Sequence, residues 1–142
     1  MADTMNAQAQ WRDGFRFDIT TGTGHELTVD ASAEVGGGDS GARPTELLLA
    51  ANATCMGMDV ISILRKMRQE VRGYTLKITG ERADDHPRIF THIVIEHFIE
   101  GEVEEAKLAH AIELSEEKYC TVSAMLNKVA MIETKYVIKS SN

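Results

Sequence analysis

A chain of 142 residues with 43% hydrophobic and 26% charged residues is typical of one soluble globular domain, so we expect residues 1–142 to form a single domain. Its 15 Lys and Arg against 22 Asp and Glu give a net charge of −7, which disfavours nucleic acid as a partner because like charges repel phosphate. The first residues, MADTMNAQAQ, lack the basic and apolar segments of a signal peptide, and polar residues interrupt the most apolar stretch, so we expect a cytoplasmic protein with no membrane partner.

The N-terminal third is predicted to contain a β-hairpin and a glycine-rich loop. Residues 1–9 are polar or small, which predicts disorder. Residues 14–20 and 25–31 alternate apolar and polar side chains and are joined by TGTG, a pattern typical of a hairpin. The following VGGGDSGARP lacks the GK[ST] ending of a phosphate-binding loop and is predicted to be a mobile connection.

A long helix is predicted to begin at Pro44, because proline favours the first helical position, and to end near Gln69. Its first half, LLLAANATCMGMDVI, is apolar nearly all round, which indicates burial on all sides. One sheet cannot cover every side of a helix. We therefore expect a second copy of the chain to pack against it, with the helix at the centre of a homodimer.

The C-terminal half is predicted to alternate strands and helices. The predicted elements are strands at 74–82 and 89–99, an amphipathic helix at 102–120, a short helix at 123–130 and a strand at 132–139. The whole order, β-β-α-β-β-α-α-β, predicts an α+β domain with two layers, an antiparallel sheet against the long central helix.

Two cysteines carry the candidate chemistry. Cys55 lies in the middle of the long helix, and Cys120 lies 65 positions later at a break between helical segments. There is no CxxC motif, so spacing alone does not decide whether they pack as small hydrophobes or form a redox pair. In a reducing cytoplasm, a permanent structural disulfide between them is not expected.

Any activating charge for Cys55 must come from outside its own helix. The helix start at Pro44 is roughly 16 Å away along the axis, and a carboxylate at Asp59, one turn onward, would raise the pKa of a neighbouring thiol. Glu46 either orients an activating arginine or is an acid that favours the helix start. The candidate cations, all N-terminal to the helix, are Arg12, Arg16 and Arg43.

Other chemistries have weaker support in the sequence. The histidines lack metal-ligand spacing, so no metal site is predicted; they are His25, His86, His92, His97 and His110. No serine lies in a G-x-S-x-G nucleophile elbow. The methionines are expected to fill gaps in the core or to soften the wall of an apolar pocket.

The run PTELLLAA from Pro44 to Ala51, followed by Cys55 and by the distant Tyr119-Cys120, resembles the OsmC/Ohr family. The resemblance extends from about Trp11 to Lys139 and includes the order of strands and helices. It implies an OsmC-like fold and an intertwined homodimer with active sites at the interface between the two copies.

The resemblance also implies an activity, the thiol-dependent reduction of organic hydroperoxides in stress defence. By position, Cys55 corresponds to the peroxidatic cysteine and Cys120 to the resolving cysteine. The reductant would be a dithiol such as a lipoylated protein, and no metal, haem, flavin or other cofactor is implied.

The chain departs from the family pattern at the pair that activates the thiolate. The family's glutamate directly follows the proline, where this chain has Thr45, and Glu46 comes one place later. The family's arginine falls near Arg12. These departures leave two alternatives to a peroxidase: a dimeric protein that binds a small apolar ligand without catalysis, or a redox-sensing stress protein.

Overall fold

The computed structural model describes residues 3–140, which form two compact units, one up to residue 48 and one from residue 49 onward. The first unit contains three antiparallel strands: β1, Ala7–Asp13; β2, Arg16–Thr21; and β3, Glu26–Val29. Strands β2 and β3 are the predicted hairpin, with Phe17 opposite Val29.

Strand β1 corrects the prediction that residues 1–9 are disordered. Ala7 pairs with Thr21 and Ala9 with Ile19, so the segment is held by backbone hydrogen bonds. The sequence AQAQ alternates alanine with glutamine, but alanine is small and disfavoured in strands, and every residue of β1 is exposed, so the pattern did not indicate a strand. Residues 1 and 2 of the predicted disordered segment lie outside the described residues.

The glycine-rich loop is fixed by one carboxylate. Asp30 accepts hydrogen bonds from the Ala31 amide at 2.7 Å, and from the Ser40 hydroxyl at 2.7 Å and amide at 3.1 Å. The pKa of Asp30 is lowered to about 2, mainly because the Ser40 hydroxyl donates a hydrogen bond to its carboxylate. At Gly37 any Cβ would lie 2.1 Å from the Ala31 carbonyl oxygen, so only glycine fits there. The loop leads directly into the long helix.

The second unit contains a mixed sheet, which corrects the prediction of one antiparallel sheet. Its strands are β4, Glu70–Arg82; β5, Phe90–Glu102; and β6, Met131–Lys139, in the order β4-β5-β6. Strand β4 is antiparallel to β5, but β6 is parallel to it. A parallel neighbour requires a long crossover connection, and the helical segment between β5 and β6 provides it. Sequence periodicity reveals strands but not their relative direction.

Three α-helices complete the fold, and all three end earlier than predicted. Helix α1 spans Pro44–Lys66, α2 spans Glu105–Leu114, and α3 spans Thr121–Leu126. Between α2 and α3 the chain forms a π-helical turn over Ser115–Tyr119. The predicted helix 102–120 is therefore α2 followed by a wider turn, which a 3.6-residue periodicity does not distinguish from an α-helix.

The core of the second unit lies between its sheet and its helices. Alternate residues of β5 are buried, as expected for a strand with one covered face, and they are Ile93, Ile95, His97 and Ile99. Helix α1 contributes Met56, Val60 and Leu64, and α2 contributes Leu108, Ala111 and Ile112.

Within a single chain, helix α1 is buried along one face only. Its buried residues follow helical spacing along one face and are Asn52, Ala53, Met56, Gly57, Val60 and Leu64. By length and composition α1 also meets the criterion for a membrane-spanning helix. Core helices of globular proteins meet the same criterion, so this property alone does not indicate a membrane protein.

Candidate dithiol site

Cys55 and Cys120 lie side by side in the second unit, although 65 positions separate them in the sequence. Cys55 is half-buried on α1, and Cys120 is 2% exposed at the residue before α3. Their side chains are within hydrogen-bonding reach of each other, and both thiols are free. The fold thus assembles a dithiol from two distant elements.

The π-helical turn and the start of α3 together place the Cys120 sulfur. The Cys120 amide donates to the Ser115 carbonyl oxygen at 2.8 Å, which closes the wide turn. The Cys120 sulfur in turn accepts a hydrogen bond from the Ser123 amide at 3.3 Å and so acts as the N-cap of α3. Both backbone contacts restrict the side chain to the position beside Cys55.

Asp59 anchors this turn to α1. The Ser115 hydroxyl donates to the Asp59 carboxylate at 2.8 Å, and Ser115 is fully buried. The sequence assigned Asp59 only an unfavourable effect on a thiolate, whereas its carboxylate holds the turn that carries Cys120. Ser115 was not predicted as a site residue, and no motif in the sequence distinguishes it.

Asn52 makes a polar contact between α1 and α3. The Ser123 hydroxyl donates to Asn52 Oδ1 at 2.7 Å, and both residues are buried. The Asn52 Nδ2 group has no hydrogen-bond partner among the described residues. Neither residue was predicted as part of the site, although an asparagine three positions before Cys55 in an apolar helix is a usable signal.

Burial dominates the electrostatics of Cys120. Desolvation raises the pKa of its thiol, the Ser123 contacts lower this pKa by less, and the neighbouring Cys55 raises it further. None of these influences is a cation. Cys120 is therefore protonated at neutral pH, which suits a thiol that reacts second.

The predicted activating arginines lie in the first unit, where each contacts a carboxylate. Arg12 Nε lies 2.9 Å from Asp18 Oδ2, and Arg16 Nε lies 3.2 Å from Asp18 Oδ1. The Arg12 hydrogen bond is the main cause that lowers the Asp18 pKa. Arg43 forms a salt bridge of 2.7 Å with Asp39.

Glu46 acts at the start of α1. Its carboxylate accepts a hydrogen bond of 2.8 Å from the backbone amide of Arg43, which is the residue immediately before the helix. This is the reciprocal contact of a capping box, in which a glutamate or glutamine satisfies the exposed N–H group of the N-cap residue. Of the two roles predicted for Glu46, the contact matches the structural one.

Glu46→Gln is expected to change the free energy of unfolding by less than about 0.5 kcal/mol, because glutamine also accepts at this capping position, whereas Glu46→Ala is expected to cost about 1 kcal/mol. Urea unfolding of the two variants measures this difference. The rate of thiol oxidation by an organic hydroperoxide should be the same in Glu46→Gln and the wild type. A tenfold lower rate in Glu46→Gln at unchanged stability would instead assign the carboxylate to activation of Cys55.

A groove of about 390 Å³ lies between α1 and the π-helical turn, and neither cysteine lines it. It is lined by Asp59, Ser62, Ile63, Lys66, Met67, Leu114 and Tyr119. A larger, more open groove of about 610 Å³ runs between α1 and β4 and is mainly apolar, with Met58, Ile61 and Leu76 in its wall. Within residues 3–140, no group of three or more His, Cys, Asp and Glu side chains is arranged to hold a metal ion.

The chain is similar in sequence to known proteins. A family model described as OsmC-like protein matches residues 36–135. Protein YhfA of Escherichia coli K12 is 37% identical over 135 residues, which cover 94% of this chain and 98% of YhfA.

Solved structures show the same fold. A hypothetical protein from Aquifex aeolicus VF5 superposes with a TM-score of 0.88 at 33% identity, covering 99% of this chain and 100% of the other. An organic hydroperoxide resistance protein from Elizabethkingia anophelis superposes with a TM-score of 0.73 at 17% identity, covering 99% of each chain. At this lower identity the similarity concerns the fold alone. The common architecture is α+β, with a long helix and two small sheets.

Proposed function

Because this chain belongs to the OsmC-like family, we propose that its dithiol reduces organic hydroperoxides, with Cys55 as the peroxidatic and Cys120 as the resolving cysteine. The observation that carries the proposal is the juxtaposition of the two free thiols, one half-buried and one buried, in a single site. The same fold occurs in an organic hydroperoxide resistance protein, which is compatible with this reaction class.

The different exposure of the two cysteines supports the proposed order of reaction. Cys55 is the more accessible residue and can meet a hydroperoxide, whereas Cys120 is buried and its pKa is raised. The Cys55 thiolate attacks the terminal oxygen of ROOH. An S–O bond forms, the O–O bond breaks, and the alkoxide takes a proton to leave as an alcohol, so that Cys55 becomes a sulfenic acid.

The second step uses the neighbouring thiol. The Cys120 sulfur attacks the Cys55 sulfur, an S–S bond forms and the S–O bond breaks. The departing hydroxide combines with the proton from Cys120 to leave as water. An external dithiol, such as a lipoylated protein, then reduces the disulfide by thiol–disulfide exchange and is itself oxidised. The reaction requires no metal or organic cofactor.

Association into a homodimer belongs to the same proposal. Several apolar residues of α1 are exposed in the single chain, including Leu48 at 46% and Met58 at 74%. Exposed apolar patches on a helix favour burial against another surface, and a second copy of this chain would provide it. The proposed location is the cytoplasm, where dithiol reductants are maintained.

The experiment is steady-state consumption of an alkyl hydroperoxide with a dithiol reductant, in the wild type and in Cys55→Ser. We expect the substitution to lower the rate at least about 100-fold, because a serine hydroxyl is not an effective nucleophile without an adjacent base. Thr54→Val, at the exposed neighbouring position, is the matched control and should retain the wild-type rate. A Cys55→Ser protein as active as the wild type contradicts the proposal.

A redox-sensing or ligand-binding protein is the second candidate. It is favoured by the salt bridges of Arg12 with Asp18 and of Arg43 with Asp39 in the first unit, which pair two of the candidate activating cations with carboxylates. A sensor would form the Cys55–Cys120 disulfide in stoichiometric amounts without rapid turnover. A ligand-binding protein would react with the hydroperoxide no faster than free cysteine. Single-turnover thiol loss compared with steady-state consumption separates these cases.

A further inference from the structure

We propose that Asn52 is a positioning residue for the resolving step, a role that rests on the proposed function. Through Ser123 it holds the Cys120 sulfur against Cys55. Asn52 touches neither sulfur by a hydrogen bond in this structure. Its effect is transmitted by the first turn of α3, which Ser123 and Cys120 share.

The contacts form a closed ring between α1 and α3. Ser123 donates its hydroxyl to Asn52 Oδ1 at 2.7 Å and its amide to the Cys120 sulfur at 3.3 Å. Cys120 lies beside Cys55, and Cys55 is three residues after Asn52 on the same helix. Residues three apart on a helix are neighbours on one face. Ser123 therefore couples the position of the asparagine to the position of the resolving sulfur.

Stability alone does not explain an asparagine at this position. Asn52 is fully buried, and its Nδ2 donors have no partner among the described residues, which costs free energy because an amide loses its hydrogen bonds to water. Two apolar side chains of similar shape would avoid that cost. A buried polar group with unpaired donors in a native structure calls for a functional explanation, and the neighbouring dithiol supplies one.

A fixed position of the Cys120 sulfur matters more for the second chemical step, disulfide formation, than for the first, the oxidation of Cys55. Cys55 meets a hydroperoxide from outside, so its oxidation does not depend on where Cys120 lies. Disulfide formation requires the Cys120 sulfur to reach the oxidised Cys55 sulfur with strict geometry. Helix α3 has only six residues, so its own backbone provides little rigidity. The Asn52–Ser123 contact is a buried side-chain hydrogen bond that joins α3 to α1.

The test measures two rates, sulfenic acid formation and disulfide formation, in Asn52→Ala, in Ser123→Ala and in the wild type. Sulfenic acid formation at Cys55, trapped with a dimedone-type reagent and measured by mass spectrometry, is expected to change by less than about threefold. Conversion of the sulfenic acid to the disulfide is expected to slow at least about tenfold, as loss of a buried hydrogen bond predicts. Oxidation beyond the sulfenic acid should then increase.

A second measurement does not depend on peroxidase activity. Equilibration of the dithiol with reduced and oxidised glutathione gives the effective concentration of Cys120 at Cys55, which should fall about tenfold in both variants. Ser123→Thr keeps the hydroxyl, so its effective concentration should equal that of the wild type. Thr54→Val should also leave the effective concentration unchanged. Thermal unfolding of each reduced variant establishes that it is folded.

The two proposals fail separately. If the wild type does not react with hydroperoxides but both substitutions lower the effective concentration, the proposed function is wrong and the positioning role stands. If the wild type is a peroxidase and Ser123→Ala forms its disulfide at the wild-type rate and effective concentration, the positioning role is overturned. Ser123→Ala removes only one oxygen atom, so it gives this result even if Asn52→Ala does not fold.

Discussion

Replacing Cys120 with serine is expected to preserve the first oxidation of Cys55 and to stop the catalytic cycle after it. Cys55 is half-buried and does not need Cys120 to meet a hydroperoxide, whereas the intramolecular disulfide needs both sulfurs. We therefore expect the variant to consume about one equivalent of hydroperoxide rapidly and its steady-state rate with a dithiol to fall at least about 100-fold, because it loses a pre-oriented intramolecular nucleophile.

Mass spectrometry of the intact protein distinguishes the stages of this reaction. The wild type should lose two hydrogen atoms as the disulfide forms. Cys120→Ser should first gain one oxygen atom and then, in excess peroxide, a second, because a sulfenic acid without a resolving thiol is oxidised further. Cys55→Ser is the matched control and should gain no oxygen. A Cys120→Ser protein with the wild-type rate and no accumulated sulfenic acid would show that Cys120 does not resolve.

The second large effect concerns His97, which is fully buried in β5. Its Nδ1 atom is hydrogen-bonded to the Tyr74 hydroxyl, and its Nε2 atom has no partner among the described residues. Burial lowers the His97 pKa to about 4 and raises the Tyr74 pKa, so both groups are neutral at neutral pH. In the sequence, His97 is only one of five histidines without metal-ligand spacing.

This depressed pKa makes stability depend on pH in a defined direction. Between the folded pKa of about 4 and an unfolded value near 6.5, the unfolded state binds more protons than the folded state. The stability that neutral His97 contributes to the folded state is therefore complete above pH 6.5 and is lost as the pH falls towards 4. We expect His97 alone to lower the free energy of unfolding by about 3 kcal/mol across that range.

Urea unfolding at several pH values between 7 and 4 measures this contribution as the difference between the wild type and His97→Gln. Glutamine does not titrate but can still hydrogen-bond to Tyr74. The wild type should lose about 3 kcal/mol more than the variant as pH falls. His110→Gln, at an exposed position on α2, is the control and should follow the wild type. Parallel pH curves for the wild type and His97→Gln would contradict the prediction.

The sequence predicted most elements because their signals are local. Alternating side chains located β2, β3, β4, β5 and β6, and Pro44 located the start of α1. Strand β1 was missed because the only apolar residues in AQAQ are alanines, which are disfavoured in strands, and because backbone pairing with β2 holds the segment. The direction of β6 and the division into two sheets depend on how distant segments pair, which periodicity does not encode.

In the candidate site, too, local features were predictable from the sequence and contacts between distant segments were not. The sequence by itself determined the family pattern around Pro44, the presence of Cys55 and Cys120, and a mid-helix position too far from the helix start to be activated by it. Only the tertiary structure brought the two thiols together and connected Asp59 to Ser115 and Asn52 to Ser123. The physical reason is that a thiol's reactivity and a buried polar group's cost depend on neighbours far away in the chain, and folding alone decides which neighbours those are.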